Sequence, residues 1–222
     1  MNQKQEGFKN SENLTNWVRY FLYIQIVIAL ISVLSGYMEY QLLTDYQNGI
    51  YTSQEKAIAD GEANDKRQAM IGLLYLVVYI VSGFLILKWI YRANYNARQL
   101  GAKEMTFTPG WSVGWYFVPI FTLWKPYQAM KEIWKTSHFP NDWKNVSTSS
   151  ILPVWWFLWL TNNFLGQVVF RMSLRAEEID ELMNVNIVYQ ISDIVSIPLA
   201  LVTLALVNSI YKVQMSHAGI NS

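Results

Sequence analysis

The sequence predicts an all-α fold: an integral-membrane four-helix bundle, with a cytoplasmic interfacial Trp/Pro-rich segment and an amphipathic helix between helices two and three. Three observations carry that reading. The apolar residues, 52% of a 222-residue chain, fall into four blocks, each long enough to cross a hydrocarbon core roughly 30 Å thick, which takes about 20 helical residues. Lysine and arginine concentrate between the second and third blocks. The ten tryptophans lie within that segment or at the block ends that face it.

The first block, 17–38, follows a largely polar stretch with Lys4 and Lys9. It is longer than the 7 to 15 residues or so of the apolar core of a secretory signal, so it is read as a retained span. In the outer loop, 39–68, Asn48-Gly49 marks a turn and a helical stretch begins at Ser53, with Lys56 rather than an acid at the capping-box position. The second block, 69–91, runs on without a breaker to Gly101, which suits a C-terminal cap.

Next comes the interfacial segment, 109–136. Between Pro109 and Lys125 the apolar run is about 14 residues, interrupted by Gly114 and Pro119, too short to cross as a helix. It is therefore interfacial or shallowly re-entrant, and the interface reading is preferred. Pro126 suits the first turn of a helix, where its missing N–H leaves nothing unpaired. Tyr127, Met130 and Trp134 then share one face of that helix and Lys131, Glu132 and Lys135 the other, the pattern of a helix lying on a membrane surface. The third block is 151–172. An outer turn, 173–186, holds a short helix in LRAEEIDELM, and the fourth block, 187–211, is expected to bend at Pro198. The whole chain is read as a single membrane domain.

Orientation follows from lysine and arginine alone. Residues 92–150 hold seven of them, the loop 39–68 three beside six acids, and the turn after the third block only Arg171 and Arg175 beside four acids. Both termini and the central segment are thus expected in the cytoplasm. The tryptophans agree: Trp17, Trp89, Trp155, Trp156 and Trp159 flank the central segment and five more lie within it, a one-sided belt at the headgroup layer that indole favours.

Two groups of residues are candidates for a site. Asp193 is the only acid well inside a block, and an intramembrane ionisable group is a functional candidate by default. Gln190, Asp193, Ser196, Ala200 and Thr203 make a small, polar stripe on helix four, and Asn163 and Gln167 share a face of helix three. Asn163 or Gln167 is expected to bond Asp193 or Gln190. The second group is the interfacial brace: Pro119 and Pro126 set its bends, Trp111, Trp115, Trp124 and Trp134 seat it, and Arg92 and Asn96 are its expected anchors.

Chemistry is otherwise sparse. Without cysteine there is no disulfide or thiolate site, and a net charge of +1 lacks the basic face of a nucleic-acid binder. His138 and His217 stand alone and read as solvated loop histidines; no metal cluster, phosphate-binding glycine loop or G-x-S-x-G occurs, and no serine has a neighbouring base. No catalytic residue, cofactor or metal is expected.

Four motifs occur in order: W-I-Y-R-A-N-x-N-A-R-x-L-G from Trp89, P-G-W-S-V-G-W-Y-F-V-P from Pro109, L-W-K-P-Y-Q-A-M-K-E-I-W from Leu123 and P-V-W-W-F-L-W-L from Pro153. Together they resemble the bacterial membrane proteins catalogued as domain-of-unknown-function family 4328, over about Asn16 to Tyr211. The resemblance implies a four-helix membrane domain with the Trp-rich segment between helices two and three, and it carries no activity. The expected protein is thus a multi-pass protein of the bacterial inner membrane, a non-catalytic scaffold, accessory subunit or sensor. Its partners would be lipids and either its own copies or another membrane protein. The alternative is a small oligomeric channel or transporter built on Asn163, Gln167, Gln190 and Asp193.

Overall fold

The computed structural model describes residues 7–220, so Lys4 lies outside the described residues. Within them every regular element is helical: α1 (Glu12–Gln47), α2 (Gln54–Gln99), α3 (Pro109–Gly114), α4 (Lys125–His138), α5 (Ile151–Ser173) and α6 (Ile179–His217). Two 3-10 turns, Trp115–Phe117 and Phe121–Leu123, join α3 to α4. Among these, α1, α2 and α6 are long and apolar enough to cross a membrane. The third apolar block, 151–172, does form a helix, α5, but it is not one of the three. Asn162, Asn163 and Gln167 interrupt its apolar run with amides, and the indoles of Trp155, Trp156 and Trp159 favour the headgroup layer over the hydrocarbon.

The helices overrun the predicted blocks. Residues 54–99 form one unbroken helix of 46 residues, merging the expected outer stretch with the second block. The short helix expected from Leu174 is absent; α6 starts at Ile179 instead and takes Leu182 and Met183 into its own first turns. Its start is capped by Glu181, whose carboxylate accepts the backbone N–H groups of Glu177 at 2.9 Å and Glu178 at 3.4 Å. Those bonds hold the Glu181 carboxyl below its ordinary range. Two helix ends close as expected. Gly49, at φ 64°, lets Ile50 N–H reach Asp45 O at 3.1 Å, and Gly101, at φ 101°, lets Ala102 N–H reach Ala97 O at 3.2 Å. Glycine takes this left-handed conformation without the Cβ clash that other residues meet.

The chain divides into two compact units, and each long helix contributes to both. The first takes the chain up to residue 22, residues 81–157 and the chain from 201 onward. Its core is apolar and closed: Trp89, Ile90, Ile133, Leu152, Ile210 and Met215 are all at most 2% exposed. Polar groups inside it are paired. Trp89 Nε1 donates to Thr15 Oγ1 at 3.1 Å, and Gln214 Nε2 donates to Ala93 O and Ser137 Oγ, both at 2.8 Å. Every tryptophan except Trp159 belongs to this unit.

The second unit takes residues 23–80 and 158–200. Its buried set is notably polar, with Ser35, Asn64, Asn186 and Asp193 all inside. That polar interior defines the first candidate site.

Candidate functional site

A cavity of about 470 Å³ lies within the second unit, lined by α1, α2 and α6 with Ser173 from the end of α5. Three carboxylates (Glu39, Asp65, Asp193) and four amides (Asn64, Gln68, Asn186, Gln190) face it, and no lysine or arginine does. Leu42, Leu43, Ile71 and Leu182 supply apolar wall, with Tyr46, Tyr75 and Tyr189 beside them. Burying Asn64, Asn186 and Asp193 among them is tolerable only when the polar groups bond one another.

They do so in a chain. Arg67, from behind the lining, donates through Nη2 to Asn64 Oδ1 at 2.5 Å and through Nε to Ser35 Oγ at 2.9 Å. Asn64 Nδ2 donates to Glu39 Oε1 at 3.3 Å, Asn186 Nδ2 to Glu39 Oε2 at 2.6 Å, and Gln190 Nε2 to Asn186 Oδ1 at 2.6 Å. Asn186 also donates to Gly36 O at 3.0 Å. Gly36 is required here: a Cβ on it would stand 2.9 Å from Gln190 Cγ. Asp193, 4% exposed, has the Ser32 hydroxyl as its side-chain partner.

The predicted bonds from Asn163 or Gln167 to Asp193 or Gln190 are not made. Asn163 and Gln167 are both exposed, and Asn163 Nδ2 donates to Trp159 O on its own helix at 2.7 Å. Equal depth in two helices does not make two residues face each other; rotation about the helix axis decides that, at about 100° per residue. The residues that do meet Asp193 and Gln190 are Ser32 and Gly36 of α1 and Asn186 of α6 itself.

The second candidate is the Trp-rich segment in the first unit. Thr108 Oγ1 caps α3 by accepting Trp111 N–H at 3.2 Å. Rings then follow one another along the chain: Trp111 to Trp115 at 4.8 Å between centroids, Trp115 to Phe121 at 5.3 Å and Phe121 to Trp124 at 5.3 Å. Lys125 Nζ sits 5.8 Å from the Trp115 ring and 5.7 Å from that of Phe107, within cation–π range. Between Pro119 and Phe121 the backbone makes a γ-turn: Phe121 N–H donates to Pro119 O at 2.7 Å while Ile120 holds φ 67° and ψ −55°. For a β-branched residue this is strained, at about 1–3 kcal/mol. Phe117 and Ile120 at this bend are each 70% exposed.

The anchors of this segment differ from those expected. Arg92 Nη1 donates to Asn10 O at 3.3 Å, and Asn96 pairs with the Lys9 backbone in both directions, at 3.1 and 2.9 Å. Both therefore tie down the chain before α1. The loop leading into the Trp-rich segment is held two residues further along α2, about 200° around the helix. There Asn94 Nδ2 donates to Phe107 O at 2.9 Å, and Arg98 Nη2 donates to Phe107 O at 2.7 Å and Met105 O at 3.2 Å. From α4, Glu132 accepts Thr106 N–H at 2.6 Å and Phe107 N–H at 2.9 Å while 6% exposed. Glu132 was assigned to the solvated side of the amphipathic helix. The face of α4 that is buried runs instead through Pro126, Ala129, Met130, Ile133 and Ser137, and Trp156 Nε1 fixes the end of the preceding turn through Leu123 O at 3.1 Å.

His138 is not a solvated loop residue. It ends α4, stacks on Trp134 at 4.1 Å, and places its two ring nitrogens 2.8 Å from Trp134 O and 3.0 Å from Ser209 Oγ. His217 is exposed in the last turn of α6. Burial holds the His138 imidazole below its ordinary 6.5, with the bond to Trp134 O partly offsetting it and the charge of His217 adding to the fall. On acidification the unfolded chain takes up this proton before the folded one. Stability is therefore full above about pH 6.5 and declines as pH falls below it. Thermal unfolding between about pH 7 and 5 should show this slope reduced in His138→Gln.

Among the described residues no group of three or more His, Asp or Glu is placed to hold a metal ion. The family described as Domain of unknown function (DUF4328) matches residues 54–212. The match takes in all four sequence motifs and the Trp-rich segment, and it begins at the start of α2, later than the resemblance from Asn16 suggested. No curated protein and no solved structure gives a match. With well over half its length matched, the chain belongs to the DUF4328 family.

Proposed function

We propose that this protein is a non-catalytic membrane sensor that binds a small molecule from the outer side, in the cavity floored by Asp193. In this reading α1, α2, α5 and α6 all cross the bilayer of the bacterial inner membrane as a four-helix bundle, with both termini and residues 92–150 in the cytoplasm. The charge asymmetry supports that orientation, and the exposure of α2, only 6% of whose apolar window is buried, supports the crossing, as expected of a helix that faces lipid. The Trp-rich segment would then lie in the inner headgroup layer, its exposed Trp111, Phe117, Ile120 and Leu123 reaching into the acyl boundary.

The observation that carries the function is the cavity itself. A scaffold needs no such space, whereas about 470 Å³ lies within the range of small-molecule sites. Its carboxylates and amides, without any cationic side chain, suit a ligand that presents hydrogen-bond donors or a positive charge. The test is a thermal-shift screen of the nanodisc-embedded protein against small ammonium and polyhydroxy compounds. A binder should raise the midpoint saturably, and Asp193→Asn should weaken it at least about tenfold, since a charge-assisted bond is worth roughly 1.5–3 kcal/mol. A midpoint unmoved across the set would count against the sensor. The same cavity favours one other reading, an oligomeric cation pore; ion flux into liposomes abolished by Asp193→Asn would support that instead.

A further inference from the structure

We infer that α5 is the contact face of a homodimer, in which Asn163 and Gln167 pair with the same residues of a second copy. This rests on the reading that α5 crosses the membrane. Asn163 lies one residue past the middle of this 23-residue helix, and Gln167 lies one turn beyond it. Both side chains are exposed, Gln167 has no hydrogen-bond partner among the described residues, and Asn163 uses only its Nδ2, on its own helix. At that depth lipid offers no partner, and an unpaired amide in hydrocarbon is expensive. A polar pair on an outward face is therefore poorly suited to lipid and well suited to another helix.

The shape of this face agrees. Gly166, Gln167 and Phe170 all lie within about 60° of the direction of Asn163 around the helix, and all four are exposed. Gly166 has open space where a Cβ would be, so a second backbone can come close at that level. The occupant is specified by chemistry and symmetry. Two copies in one membrane are parallel, and a two-fold axis along its normal sets each residue opposite its own equivalent. Charged residues would repel their own equivalents in that arrangement. An amide both donates and accepts, so asparagine meets asparagine and glutamine meets glutamine with bonds satisfied in both directions.

The chain has no cysteine, so single cysteines report contacts without background. Gly166→Cys and Phe170→Cys, oxidised in native membranes, should give most of the protein as a disulfide-linked dimer. Phe164→Cys, about 100° away, and Leu73→Cys on α2 should give at least about fivefold less. Adding Asn163→Leu and Gln167→Leu to Gly166→Cys should lower its cross-linking at least fivefold and leave a stable monomer. Equal cross-linking at Phe164→Cys, linkage to a different protein, or no linkage at any position would overturn the dimer. Alkaline carbonate extraction separates the premises: a chain that stays in the membrane without cross-linking defeats the dimer alone, and a chain that is extracted defeats the membrane reading as well.

Discussion

Glu132→Ala is expected to destabilise the protein by about 3–5 kcal/mol, the largest effect of any single exposed-looking polar residue in the sequence. The carboxylate is 6% exposed and accepts Thr106 N–H at 2.6 Å and Phe107 N–H at 2.9 Å. Alanine leaves two donors without acceptors in a site too closed for water to replace them, and each unmet donor costs about 1–3 kcal/mol. Glu132→Gln keeps one acceptor oxygen and should cost roughly half as much. The damage should be local in kind. Phe107 O is also held by Asn94 and Arg98, so the loop should loosen before the helices melt. Thermal unfolding in detergent measures the loss, and limited proteolysis between residues 102 and 108 should show cleavage preceding global unfolding.

Gly36→Leu is expected to abolish ligand binding in the second unit and to destabilise by about 1–3 kcal/mol, the usual range for overpacking. The first added atom would already stand 2.9 Å from Gln190 Cγ and 3.3 Å from its Cδ. Gln190 cannot move away freely, because its amide donates to Asn186 Oδ1, and Asn186 in turn holds Glu39. A leucine there displaces the chain of amides and fills the cavity with the same stroke. Gly83→Ala is the matching control. Nothing lies within 4 Å of a Cβ at that position, so the replacement should be neutral or stabilise by up to about 1 kcal/mol through helix propensity. A thermal-shift titration on both variants separates loss of the site from loss of the fold.

Hydropathy made the long helices legible, because each needs a continuous apolar stretch and the chain has only four. Their true lengths were less so. The residues that join Asp193 and Gln190 in the cavity lie just outside the apolar blocks: Glu39 follows the first, Asn64 precedes the second and Asn186 precedes the fourth. Glu39 and Asn186 are read as loop and Asn64 as part of a separate outer helical stretch, whereas all three are on helices that run on past the blocks, and joining the polar flanks to the blocks would have put them beside Asp193. The anchors of the Trp-rich segment failed for a different reason. Arg92 with Asn96 and Asn94 with Arg98 are both pairs four residues apart on one helix, so spacing alone cannot choose between them; only the path of the chain from Gly101 to Phe107 does. Glu132 was hidden by its neighbours. Lys131 and Lys135 made its face look solvated, while the small residues Ala129, Thr136 and Ser137 carry much of the burial of α4.

The account turns on a chain that crosses the membrane and opens its polar cavity to the outside. Single cysteines placed in the cysteine-free chain at Asn64 or Gln68, which line the cavity, and at Lys103 or Lys144, in the central segment, test this most directly in intact cells with a membrane-impermeant maleimide. The account predicts labelling at Asn64→Cys and Gln68→Cys from outside, and labelling at Lys103→Cys and Lys144→Cys only after the cells are opened. Labelling of Lys103→Cys and Lys144→Cys in intact cells, or of all four positions only after lysis, would contradict it.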